Sequence, residues 1–115
     1  MIKLKRIYDP FSREDGKRVL VDRLWPRGLK KENAHIDEWL KDIAPSDALR
    51  KWFSHDPSRW EQFRKRYNDE LKDKQGLLSE LRADSRKGTV TLLFAAKDIE
   101  HNNAMVIKEV LAKKS

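Results

Sequence analysis

Residues able to do chemistry gather around one short stretch, Arg18-Val-Leu-Val-Asp-Arg-Leu-Trp-Pro-Arg-Gly28. Val19, Leu20 and Val21 form an apolar run, β-branched at both ends, and read as part of a strand over residues 18–24. Asp22, Arg23, Trp25, Pro26, Arg27 and Gly28 then set one carboxylate, two guanidiniums and an indole at that strand's exit. Proline cannot donate to a β-ladder and glycine tolerates positive φ, so the Pro26-Arg27-Gly28 step should turn the chain. Guanidiniums are planar forks that grip carboxylates and phosphates through paired N–H donors, and two at one strand end suit an anion. The alternative is a structural corner, with Trp25 packed inward and the charges paired among themselves.

A second group of candidates follows Thr89-Val-Thr-Leu-Leu-Phe-Ala-Ala96, a run without charge that suits a central strand buried on both faces. Lys97, Asp98, His101, Asn102 and Asn103 form its polar exit. A helix from about Asn102 to Lys113 comes next, burying Ala104, Ile107 and Leu111. A buried strand followed by a helix argues for α/β layering, in which ligands bind outside the carboxyl ends of parallel strands. If strands 18–24 and 89–96 run parallel, Asp22, Arg23, Trp25, Arg27 and Gly28 meet Lys97, Asp98, His101, Asn102 and Asn103. The N–H groups opening the last helix would add positive potential at the same spot. Each of these residues also has a plainer use. Asp98 can cap the last helix, the two asparagines can satisfy loop backbone, and His101 can be a surface or capping side chain. His55 beside Asp56 resembles a catalytic couple only on paper, because adjacent turn residues point apart.

The elements that must position these groups follow from periodicity. Ile2 to Tyr8 alternates apolar and basic side chains through Lys5, as a strand with one buried face does. Asp9-Pro10 and Ser12 to Gly16 are turn chemistry, and the short link would permit antiparallel pairing or a crossing to a non-adjacent place in the sheet. Lys30 to His35 reads as a short helical turn. Ile36, Trp39, Leu40 and Ile43 fit helical spacing, ended by Pro45. Ser46 is placed to cap a helix carrying Leu49, Trp52 and Phe53. For the next helix Asp56 can cap with Pro57 at the first position, or Ser58 and Glu61 can form a capping box. Its stripe of Trp60, Phe63, Tyr67 and Leu71 is core rather than a stacking face for bases, with Glu61 and Lys65 spaced as an ion pair. A further helical piece covers Leu77 to Arg82.

At 115 residues the chain should be one domain, 1–115, with 38% hydrophobic and 39% charged residues. Its lack of cysteine excludes disulfides and thiolate chemistry and fits a reducing cytoplasm. His35, His55 and His101 have no metal-ligand spacing, so neither metal nor cofactor is expected. No signal peptide is visible, and no apolar run approaches the ~20 residues of a membrane span. The net charge of +7 suggests a polyanionic partner such as nucleic acid. Acidic residues are interleaved with the basic ones, however, as in Arg64-Lys-Arg-Tyr-Asn-Asp-Glu70, and no nucleic-acid-binding motif accompanies them.

Arg6-Ile-Tyr-Asp-Pro10, the whole Arg18–Gly28 block, Trp39 with Ala44-Pro-Ser46, Leu49-Arg-Lys-Trp-Phe53, and Thr91-Leu-Leu-Phe-Ala-Ala-Lys-Asp98 with His101-Asn-Asn103 carry a resemblance. Over nearly its whole length the chain resembles domain-of-unknown-function family 488, in its short YeaO-like branch. The family supplies no established activity. The resemblance implies a three-layer α/β sandwich with a small, mostly parallel sheet flanked by helices, and a strand rather than a helix near Trp39. Longer members carry a Cys-His-Arg element after the last strand, where this chain has Asn102, Asn103 and Ala104, so chemistry resting on that element does not carry over.

The leading expectation is a cytosolic protein with a pocket for a small anionic ligand, phosphorylated or nucleotide-like. Arg23 and Arg27 would hold the anion with Lys97 assisting, Asn102 and Asn103 would orient it, and Trp25 would wall the pocket. Were the site catalytic, hydrolysis with Asp22 or His101 as general base would be the form, but no nucleophile–base pair is evident and enzymatic status stays open. The alternatives are a nucleic-acid-binding or regulatory protein using the basic surface, and a non-catalytic interaction module. No oligomeric state is specified.

Overall fold

The computed structural model describes residues 1–113. Four strands, β1 (Ile2–Arg6), β2 (Lys17–Leu20), β3 (Glu38–Trp39) and β4 (Val90–Phe94), form a parallel sheet in the order β1-β4-β2-β3. The helices are α1 (Lys31–Ala34), α2 (Asp47–Phe53), α3 (Trp60–Leu71), α4 (Gln75–Lys87) and α5 (Asn103–Ala112). The last strand in sequence sits at the centre because it alone carries no charge, and all of its residues are buried. The strands flanking it bear Lys3 and Lys5 on one side and Lys17 and Arg18 on the other.

Strand alternation sends side chains to two faces. Val19, Val21, Val90, Leu92 and Phe94 meet the helical layer, where Leu49, Phe63, Tyr67, Leu78 and Ile107 are among the buried partners. Leu20 and Leu93 face the other way, with Ile7, and are covered by Trp25, Leu29, Ile36 and Trp39. The third layer of the sandwich is therefore thin: the chain between β2 and β3, with the single turn α1. Arg18 pins this layer to the sheet by donating to the carbonyls of Ala34 (3.2 Å) and His35 (2.8 Å). Each fully buried aliphatic side chain here contributes roughly 1.5–3 kcal/mol by leaving water.

The short link between β1 and β2 is a crossing, not a hairpin, since β4 lies between them. Gly16 makes it work. Its φ is +64°, and a Cβ there would lie 2.2 Å from the Thr89 carbonyl oxygen, the acceptor for Lys17 N–H at 3.0 Å.

Several local expectations shift under tertiary pairing. Residues 36–43 do not form a helix. Asp37 N–H donates to Arg18 O and Leu40 N–H to Leu20 O, each at 2.9 Å, so edge pairing makes β3 before a 3-10 turn at Lys41–Ile43. The resemblance was the better guide there. The first strand stops at Arg6 rather than Tyr8, and β2 stops at Leu20 rather than Leu24. The fourth helix extends over Gln75–Lys87, beyond the apolar core of Leu77 to Arg82. Ser46 caps α2 as expected, its Oγ accepting from Leu49 N–H at 3.2 Å. Asp56 is the residue that caps the turn entering α3, accepting from Ser58 N–H at 3.0 Å. Glu61 pairs with Arg64 at 3.3 Å, one turn position short of Lys65. Phe63, Tyr67 and Leu71 are buried as the stripe requires, with Trp60 half-buried at its end.

Candidate functional site

The parallel register of β2 and β4 brings both exits to one edge of the sheet. Val21 N–H still donates to Leu93 O at 3.1 Å, but the next rung is made by a side chain. Asp22 Oδ2 accepts from Ala95 N–H at 2.9 Å, which ends the ladder and splays the strands apart. The Asp22 carbonyl is in turn held by Trp39 Nε1–H at 2.7 Å. From the other side, Asn103 at the start of α5 donates through Nδ2 to Val21 O at 2.8 Å. The early and late exits therefore touch.

Between them opens a cavity of about 380 Å³, within the range of small-molecule sites. Asp22, Arg23, Trp25, Arg27, His101, Asn102 and Asn103 all line it, so most of the expected constellation assembles. Gly28 and Lys97 are exposed and do not line it. Gly28, at φ +76°, instead shapes the turn that Trp25 closes by donating from Nε1 to Leu29 O at 2.7 Å.

Geometry separates the roles of these residues. Arg23 donates from Nε to Pro45 O and from Nη2 to Ala44 O, both at 3.2 Å, so much of its fork is bound to the opposite wall. Asn102 is the cap of α5: Oδ1 accepts from Met105 N–H at 2.9 Å and Nδ2 donates to Asp98 O at 3.0 Å. Asp98 does not cap that helix. It folds the preceding turn, accepting from the backbone N–H of Glu100 and His101, and its Oδ2 lies 2.9 Å from His101 Nδ1. The His101 hydrogen bond holds the Asp98 carboxyl below its ordinary pKa. That contact leaves His101 Nε2 as the nitrogen free to meet a ligand, with the ring edge-on to Trp60 at 5.2 Å. Arg27 lies exposed, its carbonyl accepting from the Tyr8 hydroxyl at 2.8 Å.

Asp22 is the unusual group. Burial raises its pKa above the ordinary aspartate value, against the opposing pull of the Ala95 N–H, the Asn103 amide and the charge of His55. No arginine or lysine forms an ion pair with it among the described residues.

Two wall residues were not among the expected ligand-binding residues. His55 reaches the cavity because Ser54 and His55 adopt left-handed φ of +44° and +56° after α2. Such backbone costs of order 1–3 kcal/mol per residue and persists only when surrounding structure imposes it. Asp56 turns away from His55 to cap its own turn, so they form no couple. Arg50, one turn before the end of α2, reaches Asp47 at 3.4 Å through Nη2, while its Nε is buried without an acceptor among the described residues. Its neighbours Trp52 and Phe53 gave the helix an obvious apolar face, and nothing in spacing marks an arginine on the adjacent face.

The chain matches, over residues 1–115, the family model DUF488-N3i, described as the inactive DUF488-N3 subclade. It belongs to the DUF488 family. The uncharacterised protein YeaO of Escherichia coli (strain K12) is 43% identical over 110 residues, covering 96% of each chain. An uncharacterised protein of Mycobacterium tuberculosis (strain H37Rv) is 38% identical over 110 residues, 96% of this chain and 92% of that one. No solved structure matches. Among the described residues, no helix of this family member is long and apolar enough to cross a membrane.

Proposed function

We propose that the protein binds a small anionic ligand, phosphorylated or nucleotide-like, in the cavity at the carboxyl ends of β2 and β4, and does not turn it over. The observation that carries this reading is Arg50 Nε, a buried donor without an acceptor on the cavity wall. An unsatisfied buried donor costs about 1–3 kcal/mol, which a ligand oxygen would recover. Arg27 adds positive charge around the same space, against the single carboxylate of Asp22, and His55 and His101 offer ring nitrogens to a ligand. Binding without turnover accords with the inactive description of the matched subclade. It also accords with Asn102 and Asn103 spending their amides on a helix cap and a strand end, where longer relatives are expected to carry Cys-His-Arg. A chain without cysteine suits a cytoplasmic setting.

The basic excess is less useful to a polyanion than its size suggests. Lys17 sits between Asp84 (2.7 Å) and Glu38 (3.1 Å), Lys72 pairs with Asp69 (3.1 Å), and Arg64 contacts Glu109 (3.5 Å).

Calorimetric titration against nucleoside phosphates and sugar phosphates, with wild type and Arg50→Gln, tests the proposal. At least one compound should bind, and the variant should lose roughly 10- to 150-fold in affinity, the weight of a charged hydrogen bond. No response from wild type across the panel overturns it. Binding seen only with oligonucleotides, and falling steeply with salt, would overturn it in favour of the basic surface.

A further inference from the structure

We infer that the cavity selects an anionic ligand built on a flat heterocycle with an exocyclic amino group, and that Asp22 is the residue reading that group. This rests on the anion-binding reading and adds a second pole to it. The Asp22 carboxylate is anchored through Oδ2, which accepts from Ala95 N–H at 2.9 Å, while the Trp39 indole holds the main-chain carbonyl of the same residue. Although arginines line the same cavity, Arg23 is turned to the Ala44 and Pro45 carbonyls and Arg50 to Asp47, and neither meets Asp22. A partly buried carboxylate with no arginine or lysine in an ion pair is costly, and a ligand N–H donor is the group that relieves it. Aromatic side chains share the lining of the same cavity. The rings of Phe53 and Phe63 stack at 4.3 Å and 23°, and Trp25 lines the cavity with them. Aromatic lining, a partly buried carboxylate acceptor and an unpaired guanidinium donor together describe an amino-substituted aromatic ring joined to an anion. Sites built to hydrogen-bond one polar group discriminate strongly against the analogue that lacks it.

The test compares cytidine with uridine monophosphate, and adenosine with inosine monophosphate, by calorimetry on the full chain, with inorganic phosphate alongside. Wild type should bind the amino member of at least one pair 10-fold or more tightly than its oxo partner. Asp22→Asn should reverse or abolish that preference, since an amide can still accept from Ala95 while offering N–H to an oxo group. Arg50→Gln should weaken both members alike. Equal binding within both pairs by wild type, still weakened by Arg50→Gln, overturns this inference and leaves the anion site standing. No binding by any compound removes both. If Asp22→Asn does not fold, the wild-type pairwise comparison decides alone.

Discussion

Replacing Arg23 with alanine distinguishes a guanidinium that holds a ligand from one that holds the fold. Its Nε and Nη2 donate to the Pro45 and Ala44 carbonyls, both in a buried part of the chain between β3 and α2. That segment has few other ties: Ile43 O accepts from the buried Tyr67 hydroxyl, and Ser46 is held by Glu70. Charge-assisted hydrogen bonds are worth about 1.5–3 kcal/mol each, and these two, at 3.2 Å, lie at the long end of the N–H···O range. Taking about 1–1.5 kcal/mol for each, below that range because both bonds are long, Arg23→Ala should cost about 2–3 kcal/mol. For a domain of this size that lowers Tm by about 8–12 °C. Urea unfolding followed by far-UV circular dichroism should show a lower midpoint with an unchanged slope. Ligand affinity, measured well below the new Tm, should fall only a few-fold because the donors removed already had acceptors. The opposite pattern, a Tm within about 2 °C of wild type and affinity down 10-fold or more, would refute the reasoning and restore Arg23 as the anion grip.

Two further outcomes follow from the same geometry. Gly16→Ala should destabilise by about 2–4 kcal/mol in urea titration, combining left-handed strain with a Cβ driven into the Thr89 carbonyl, whereas Gly28→Ala, with open space around its Cβ, should cost only about 1 kcal/mol. Asp22→Asn should be more stable than wild type without ligand at neutral pH. Burial raises the folded-state pKa of Asp22 above 3.8, so the folded protein retains this proton where the unfolded chain has lost it. The carboxylate's destabilisation therefore grows as pH rises from about 4 through the raised value and is complete above it. The gap between variant and wild-type urea midpoints should open over that window and close below it; a gap constant with pH would show that Asp22 acts through packing instead.

Composition and periodicity alone determined a good deal. The uncharged run Thr89–Ala96 suited a central strand, because a strand covered on both faces cannot bury charges without partners, and its Val90–Phe94 part is that strand. The three- and four-residue spacing from Trp60 to Leu71 dictated a helix and the face it buries, and Ser46 marked where α2 begins. The two polar strand exits were visible as candidates because a carboxylate, guanidiniums and a turn proline follow directly on an apolar run, although a structural corner needs the same residue types. Beyond that, partners decided. Residues 36–43 had helical spacing, yet the open edge of β2 offered backbone hydrogen bonds that only the assembled sheet supplies. Arg23 and Arg50 are the same residue type, but one found carbonyls and the other left a donor unpaired. His55 entered the cavity through two left-handed residues that local sequence does not favour. A side chain's chemistry is written in its type, whereas whether its donors and acceptors are free depends on which distant atoms folding brings within reach.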